Sequence, residues 1–146
     1  MSRLLDLILL VDDDETTNHV NKRLLSRLNI AHEIMVLENG RQALDYLNTA
    51  CGPDKVSGTI CPDLIFLDIK MPVMDGFSFL EAYEQAQLDQ QNPIIIMMLT
   101  SSASFYDLER LKQFKKVKRH LSKALTENDV KEILREHFSR SSQNYI

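Results

Sequence analysis

The chain has 146 residues, 44% of them apolar and 26% charged, with a formal net charge of −4. That length fits one domain around one core, and the balance is ordinary for a globular protein in water. The negative charge weighs against nucleic acid or an anionic membrane surface as main partner, and no apolar stretch approaches the ~20 residues of a membrane span.

Residues 7–11, Leu-Ile-Leu-Leu-Val, form a continuous apolar run, as expected of a strand covered on both faces. Arg3 and the apolar residues near it are interrupted by Asp6, and no small-residue cleavage site follows, so no signal peptide is expected. The run ends in Asp12, Asp13, Asp14 and Glu15. Carboxylates this close repel and raise one another's pKa. Their clustering points either to a cation that needs oxygen ligands or to a helix N-terminus that favours anions.

The spacing predicts a helix over 16–28, with Val20, Leu24 and Leu28 on one stripe. A second strand is predicted over 33–37, then a helix over 41–47 with Ala43, Leu44 and Leu47 on one side. Residues 51–62, with Gly52, Pro53, Gly58 and Pro62, read as a loop. This loop carries both cysteines. Cys51 and Cys61 lack the C-x-x-C spacing of a zinc or redox site, so reduced thiols are expected, with a loop disulfide as the alternative. Residues 64–67 are the third strand and 77–87 the third helix, and Pro93 opens the apolar fourth strand, whose methionines belong to the core. A helix is predicted from 105 to about 116, striped by Leu108, Leu111 and Phe114 or Lys115. Residues 120–122 form a short fifth strand. A last helix over 126–138 opens with Thr126 and Asp129, a capping box with Asp in place of Glu. Residues 139–146 are expected to be a frayed tail.

Five strand–helix repeats imply a parallel sheet with helices on both faces and right-handed crossovers. In such α/β sheets the site lies beyond the carboxyl ends of the strands. Those ends carry Asp12, Asp13 and Asp14 on the first strand, Asp68 on the third, Thr100 and Ser101 on the fourth, and Lys123 just past the fifth. These groups suit phosphoryl transfer. A carboxylate is a nucleophile, but an anionic phosphoryl donor repels it. Further carboxylates can hold Mg²⁺, which prefers one or two of them together with water and phosphate oxygens, and the metal neutralises charge on the transferring group. A lysine and a hydroxyl then contact phosphoryl oxygens.

Residues "LLVDDDE", "LIFLDIKMPVMDG", "MMLTSS" and the lysine of "HLSKAL" resemble the receiver domain of two-component response regulators over residues 6 to about 138, nearly the whole chain. The resemblance is to stand-alone, chemotaxis-regulator-like receivers. It implies a flavodoxin-like doubly wound fold with a five-stranded parallel sheet in the order 2-1-3-4-5. Asp68 corresponds to the phosphoacceptor, Asp12 and Asp13 to the acidic pair, and the Lys70 backbone carbonyl to a further Mg²⁺ ligand. Asp13 would bind the metal directly and Asp12 through water. Thr100 matches the switch hydroxyl and Lys123 the phosphoryl-binding lysine. His120 stands where the family usually has a switch aromatic. Pro72 and Gly76 fit the turn that follows the acceptor.

The implied function is phosphorelay signalling. A histidine kinase or histidine phosphotransfer protein is the donor, and an unidentified protein is the target. No direct contact with nucleic acid and no membrane insertion are expected, the location is cytoplasmic, and the state is monomer or weak dimer. The module catalyses only its own phosphorylation and dephosphorylation and is no enzyme in the usual sense. The sequence past Lys123 suffices for one helix and a tail, so no attached output domain is expected.

Three departures stand out. Ala124 follows Lys123 where the family usually has proline. A cis bond there is not expected, so the loop must place Lys123 by other means. The segment before the fifth strand reads "FKKVKRH" and lacks the usual small turn. Lys70 and Ser102, at positions that tune phosphoryl lifetime in the family, carry no carboxylate or amide to orient water, so slow self-dephosphorylation is expected.

Asp14 and Glu15 read as N-terminal helix acids and Asp75 as a turn residue before Gly76. The run Arg110, Lys112, Lys115, Lys116, Lys118 and Arg119 reads as a solvated face. It is also a candidate partner-binding face on the fourth helix and fifth strand, with Phe114 and Val117 as anchors. Two alternatives remain. One is a degenerate receiver that binds partners without phosphate. The other is a haloacid-dehalogenase-like phosphatase using Asp12, because Asp12, Asp14 and Thr16 satisfy D-x-D-x-T; that motif lacks its later acidic pair and leaves Asp68 unexplained.

Overall fold

The computed structural model describes residues 4–88, 93–101 and 103–138. Ser102 and the expected tail 139–146 lie outside them. Five parallel strands, β1 (Leu5–Val11), β2 (Ala31–Leu37), β3 (Leu64–Leu67), β4 (Ile95–Thr100) and β5 (Val117–Ser122), form one sheet in the order β2-β1-β3-β4-β5. Between and after them run α1 (Glu15–Leu28), α2 (Gly40–Ala50), α3 (Gly76–Ala86), α4 (Phe105–Leu111) and α5 (Glu127–Ile133). This is the order and architecture that the resemblance implies.

The strands are apolar on both faces because helices cover both. Leu7, Leu9, Val11, Ile65, Leu67 and Met98 pack into one core with Leu47 of α2, Phe79 and Tyr83 of α3 and Leu111 of α4. Ile8, Leu10, Phe66, Met97, Leu99 and Leu121 pack into a second core with Leu25 of α1 and Val130 and Ile133 of α5. Residues alternate between the cores over 7–11, 64–67 and 96–99, the period-two rule in its buried form.

Side-chain caps set the helix starts. Asp14, Asn39 and Asp75 each accept an N–H of the first turn of α1, α2 and α3. Ser104 with Asp107, and Thr126 with Asp129, form reciprocal capping boxes on α4 and α5. Asp14 and Glu15 are thus helix-terminal acids as expected, and Asp75 is the cap of α3. Asn29 and Gln87 end α1 and α3 in left-handed conformation, φ 53° and 52°.

Several details differ from the sequence reading; β2 and β5 begin earlier than predicted, at Ala31 and Val117. The buried residues of α1 are Asn18, Asn21 and Leu25; of the predicted stripe, Leu24 and Leu28 pack against the core from the flank, while Val20 is 45% exposed. The helix α4 stops at Leu111, because tight turns from Gln113 to Arg110 and from Phe114 to Leu111 replace helical bonds and send the Phe114 ring to 6.0 Å from Phe77. The last helix changes to a π-helix over Leu134–Phe138. Cys51 and Cys61, expected as thiols, form a disulfide with Cα atoms 5.0 Å apart. Within that loop Val56 N–H bonds to the Thr49 carbonyl and Tyr46 Oη to the Ile60 carbonyl, folding it back so that the two cysteines meet.

Candidate functional site

Strand β1 delivers Asp12 and β3 delivers Asp68 to the same carboxyl end of the sheet, since Val11 and Leu67 are register partners. Both carboxylates are buried. Lys123, just past β5, reaches between them: Nζ is 2.7 Å from Asp12 Oδ2 and 3.1 Å from Asp68 Oδ2. The second oxygen of each acid is held by the backbone, Asp12 Oδ1 accepting from Asp14 N–H at 2.9 Å and Asp68 Oδ1 from Ile69 N–H at 2.8 Å.

Burial of Asp68, together with the charge of Asp12, outweighs Lys123 and raises the Asp68 carboxyl to about 6. For Lys123, burial pulls the other way, but its two carboxylate partners win and its pKa is raised. Lys123 therefore stays charged. Asp14 is lowered, chiefly by the Thr17 hydroxyl that bonds to it, so it serves α1 and is not part of this cluster.

Asp13 is exposed beside the pair. Asp12, Asp13 and Asp68 each offer a carboxylate oxygen, all within 4.8 Å of one another. Among the described residues this is the group of carboxylates able to share a metal, and hard oxygen donors at this spacing fit a hard divalent cation. Thr100 ends β4, is buried, and its carbonyl accepts the Lys123 N–H at 3.2 Å. The structure thus gathers Asp12, Asp13, Asp68, Thr100 and Lys123 at one end of the sheet.

Lys70, whose backbone carbonyl is the group expected at the site, lies in the loop two residues after Asp68 with its side chain exposed. His120 is exposed on β5, paired in register with Met98 rather than Thr100. It lines a groove of about 360 Å³ with Leu108, Leu111, Lys112, Val117 and Arg119.

The loop after Asp68 is closed by the Gly76 N–H, which donates to the Ile69 carbonyl at 2.8 Å, and by the Gly40 N–H, which donates to the Met74 carbonyl at 2.8 Å. A Cβ at Gly76 would overlap the Asp68 carbonyl oxygen, so the turn requires glycine at this close approach. Val73, at its tip, has φ 67°, a conformation rare for a β-branched residue.

The peptide between Lys123 and Ala124 is cis, against expectation. Bonds on both sides hold this segment without proline: Lys123 N–H to the Thr100 carbonyl and Leu125 N–H to Asn21 Oδ1 at 3.0 Å. Asn21 and Asn18, whose Nδ2 donates to the Asp12 carbonyl at 2.8 Å, escaped the sequence reading because asparagine reads as surface. The signal available was the N-x-x-N spacing straight after the acidic cluster.

The basic run is largely engaged within the protein. Arg110 lies over the Phe77 ring and near Glu81, Lys112 pairs with Glu109, Lys116 lies over the Tyr83 ring, and Arg119 meets Glu132 and Glu136.

Comparison with known proteins agrees with this geometry. The family model described as the response regulator receiver domain matches residues 8–135. The chain is 31% identical over 130 residues to the probable methanogenesis regulatory protein FilR2 of Methanothrix harundinacea, covering 89% of this chain and 79% of that protein. It is 30% identical to hybrid signal transduction histidine kinase L of Dictyostelium discoideum over 93% of this chain, which spans only 7% of that kinase. The crystal structure of a two-component response regulator from Cytophaga hutchinsonii superposes with a TM-score of 0.78 at 26% identity, covering 92% of this chain and 97% of that one.

Proposed function

The chain belongs to the response regulator receiver family of two-component signalling, and from that premise we propose that Asp68 is its phosphoryl acceptor. One observation carries the reading: two buried carboxylates, Asp12 and Asp68, share the ammonium of Lys123. A structural ion pair needs one acid. Burial, and then a second acid beside it, raise the Asp68 pKa, and paired acids are the arrangement expected where a cation and a phosphoryl group must both be received.

A carboxylate oxygen of Asp68 attacks phosphorus. The P–N bond of a phosphohistidine breaks as the P–O bond to Asp68 forms, and the imidazole leaves. Asp12, Asp13, Asp68 and the Lys70 carbonyl are the ligands proposed for Mg²⁺, which when bound neutralises charge on the transferring group. Lys123, already charged and in reach, contacts a phosphoryl oxygen, and the Thr100 hydroxyl donates to another. The donor is a histidine kinase or phosphotransfer protein, and the reaction takes place in the cytoplasm.

Output runs through the α4–β5 face to another protein. Its exposed Phe105, Tyr106 and Leu108, and the groove reaching His120, support that reading. Thr100 and His120 are the residues through which phosphorylation biases this face. Dephosphorylation is slow, because the Lys70 side chain cannot orient an attacking water.

The test is intact mass after incubation with Mg²⁺ and acetyl phosphate, for wild type and Asp68→Asn, with and without EDTA. One added phosphoryl group, lost in Asp68→Asn and in EDTA, is expected, with the label persisting after donor removal. Label that survives Asp68→Asn would move the nucleophile to Asp12. No label from acetyl phosphate or from phosphohistidine donors would leave a receiver that binds partners without phosphate.

A further inference from the structure

Two asparagines on the inner face of α1 hold both arms of the site. Asn18 is 7% exposed and Asn21 1%, and three residues apart on a helix they share one face. Asn18 Nδ2 donates to the Asp12 carbonyl at 2.8 Å, steadying the end of β1. Asn21 Oδ1 accepts the Leu125 N–H at 3.0 Å across a sequence separation of 104 residues. They line a common gap with Asp12, Asp68, Phe66 and Leu99 that has no room for water.

Packing does not explain an amide at Asn21. Leu10, Phe66 and Leu99 line the gap beside Asp12, Asn18 and Asp68, and burying a polar group there costs free energy unless its bonds are made. The bond it makes lands two residues beyond Lys123. Ahead of Leu125, the Lys123 N–H is fixed on Thr100 and Nζ on the two carboxylates. Asn21 is the anchor on the far side. Without it, the N–H of the buried Leu125 loses its side-chain partner, and the loop must shift to find another.

We propose that Asn21 is a positioning residue for Lys123: by anchoring Leu125 it holds the ammonium where it meets the acceptor, and so sets the rate of phosphoryl transfer. The inference rests on Asp68 being the phosphoryl acceptor. It predicts that Asn21 acts through Lys123 and not through the acidic cluster, which Asn18 supports from the other arm.

The experiment measures initial rates of labelling from acetyl phosphate, against Mg²⁺ concentration, for wild type, Asn21→Leu, Lys123→Met, the double variant and Asn21→Asp, with thermal unfolding alongside. Asn21→Leu is expected to slow labelling about ten- to a hundredfold, the scale of a misplaced catalytic group, with the Mg²⁺ requirement unchanged. The double variant should be no slower than Lys123→Met, because two residues that act as a unit lose their effect once. Asn21→Asp, which keeps an acceptor oxygen, should recover most of the rate. Losses that multiply in the double variant, a raised Mg²⁺ requirement in Asn21→Leu, or an unchanged rate would overturn the inference. Asn21→Ala carries the same expectations should Asn21→Leu not fold. A wild type that takes no label overturns the acceptor reading and this inference with it; a labelled wild type with an indifferent Asn21→Leu overturns this inference alone.

Discussion

Asp12, Asp68 and Thr100 stand at the carboxyl ends of β1, β3 and β4, each buried and each tied to Lys123 through a side chain or a backbone group. The α4–β5 edge of the same sheet is built in the opposite way. The helix α4 spans only Phe105–Leu111 and buries Leu111 alone, Phe105 and Tyr106 are 77% and 86% exposed, and His120 faces solvent on an edge strand. A buried, fully bonded cluster changes state only when its charge changes. A short helix with few buried contacts opens at little cost. Under the proposed function, the chemical event belongs to the first region and the response to the second.

Removing Lys123 should break the first region most severely. Lys123→Met leaves Asp12 and Asp68 buried with no cation between them, and losing one partner of a buried ion pair costs about 3–5 kcal/mol. Denaturant unfolding in EDTA should show that loss, and saturating Mg²⁺ should restore much of it. An equal loss in both buffers would mean the acids do not form a cation site.

Gly76→Ala comes next. Its Cβ would collide with the Asp68 carbonyl oxygen and lie 3.1 Å from Ile69 Cα, both backbone atoms, and overpacking against backbone costs about 1–3 kcal/mol. Because the displaced group is Asp68 itself, labelling should also slow. A stable variant that labels at the wild-type rate would show that the turn tolerates a side chain.

A smaller effect separates the charge of Asp68 from its packing. The unfolded chain releases this proton near the ordinary value of 3.8, and the folded site holds it to about 6. Between those values the native state binds more protons, so raising the pH through this window weakens folding, and above about 6 the penalty is complete. Asp68→Asn should flatten that slope and exceed wild type at pH 7 by on the order of 1–2 kcal/mol. Equal pH profiles would mean that Lys123 fully offsets the burial.

The smallest effect belongs to the other region. Phe105→Ala and Tyr106→Ala remove rings that the protein hardly buries, so each should change stability by less than about 0.5 kcal/mol and leave labelling of Asp68 untouched. Either variant unfolding the domain would contradict the contrast.

The legibility of the sequence follows the same division. Strands apolar on both faces, the helix-start acid Asp14, the capping box of Thr126 and Asp129, and the residues at the strand ends were all readable, because each rests on a residue type whose chemistry has few other uses. The buried face of α1 was readable only in part. Leu24 and Leu28 do pack against the core, but Val20 does not, and nothing local tells Asn21 that its partner is Leu125. The end of α4 was overrun because Phe114 continues the apolar period, yet enters the core from a turn. The Cys51–Cys61 bond depended on how one loop folds back, which spacing does not encode.

The most direct test of the division of labour is amide hydrogen exchange, read by mass spectrometry on wild type before and after labelling with acetyl phosphate and Mg²⁺. The account predicts slowed exchange across residues 105–122 on labelling, with residues 40–50 of α2 unchanged. Exchange over 105–122 that stays the same while Asp68 carries the phosphoryl group would contradict it.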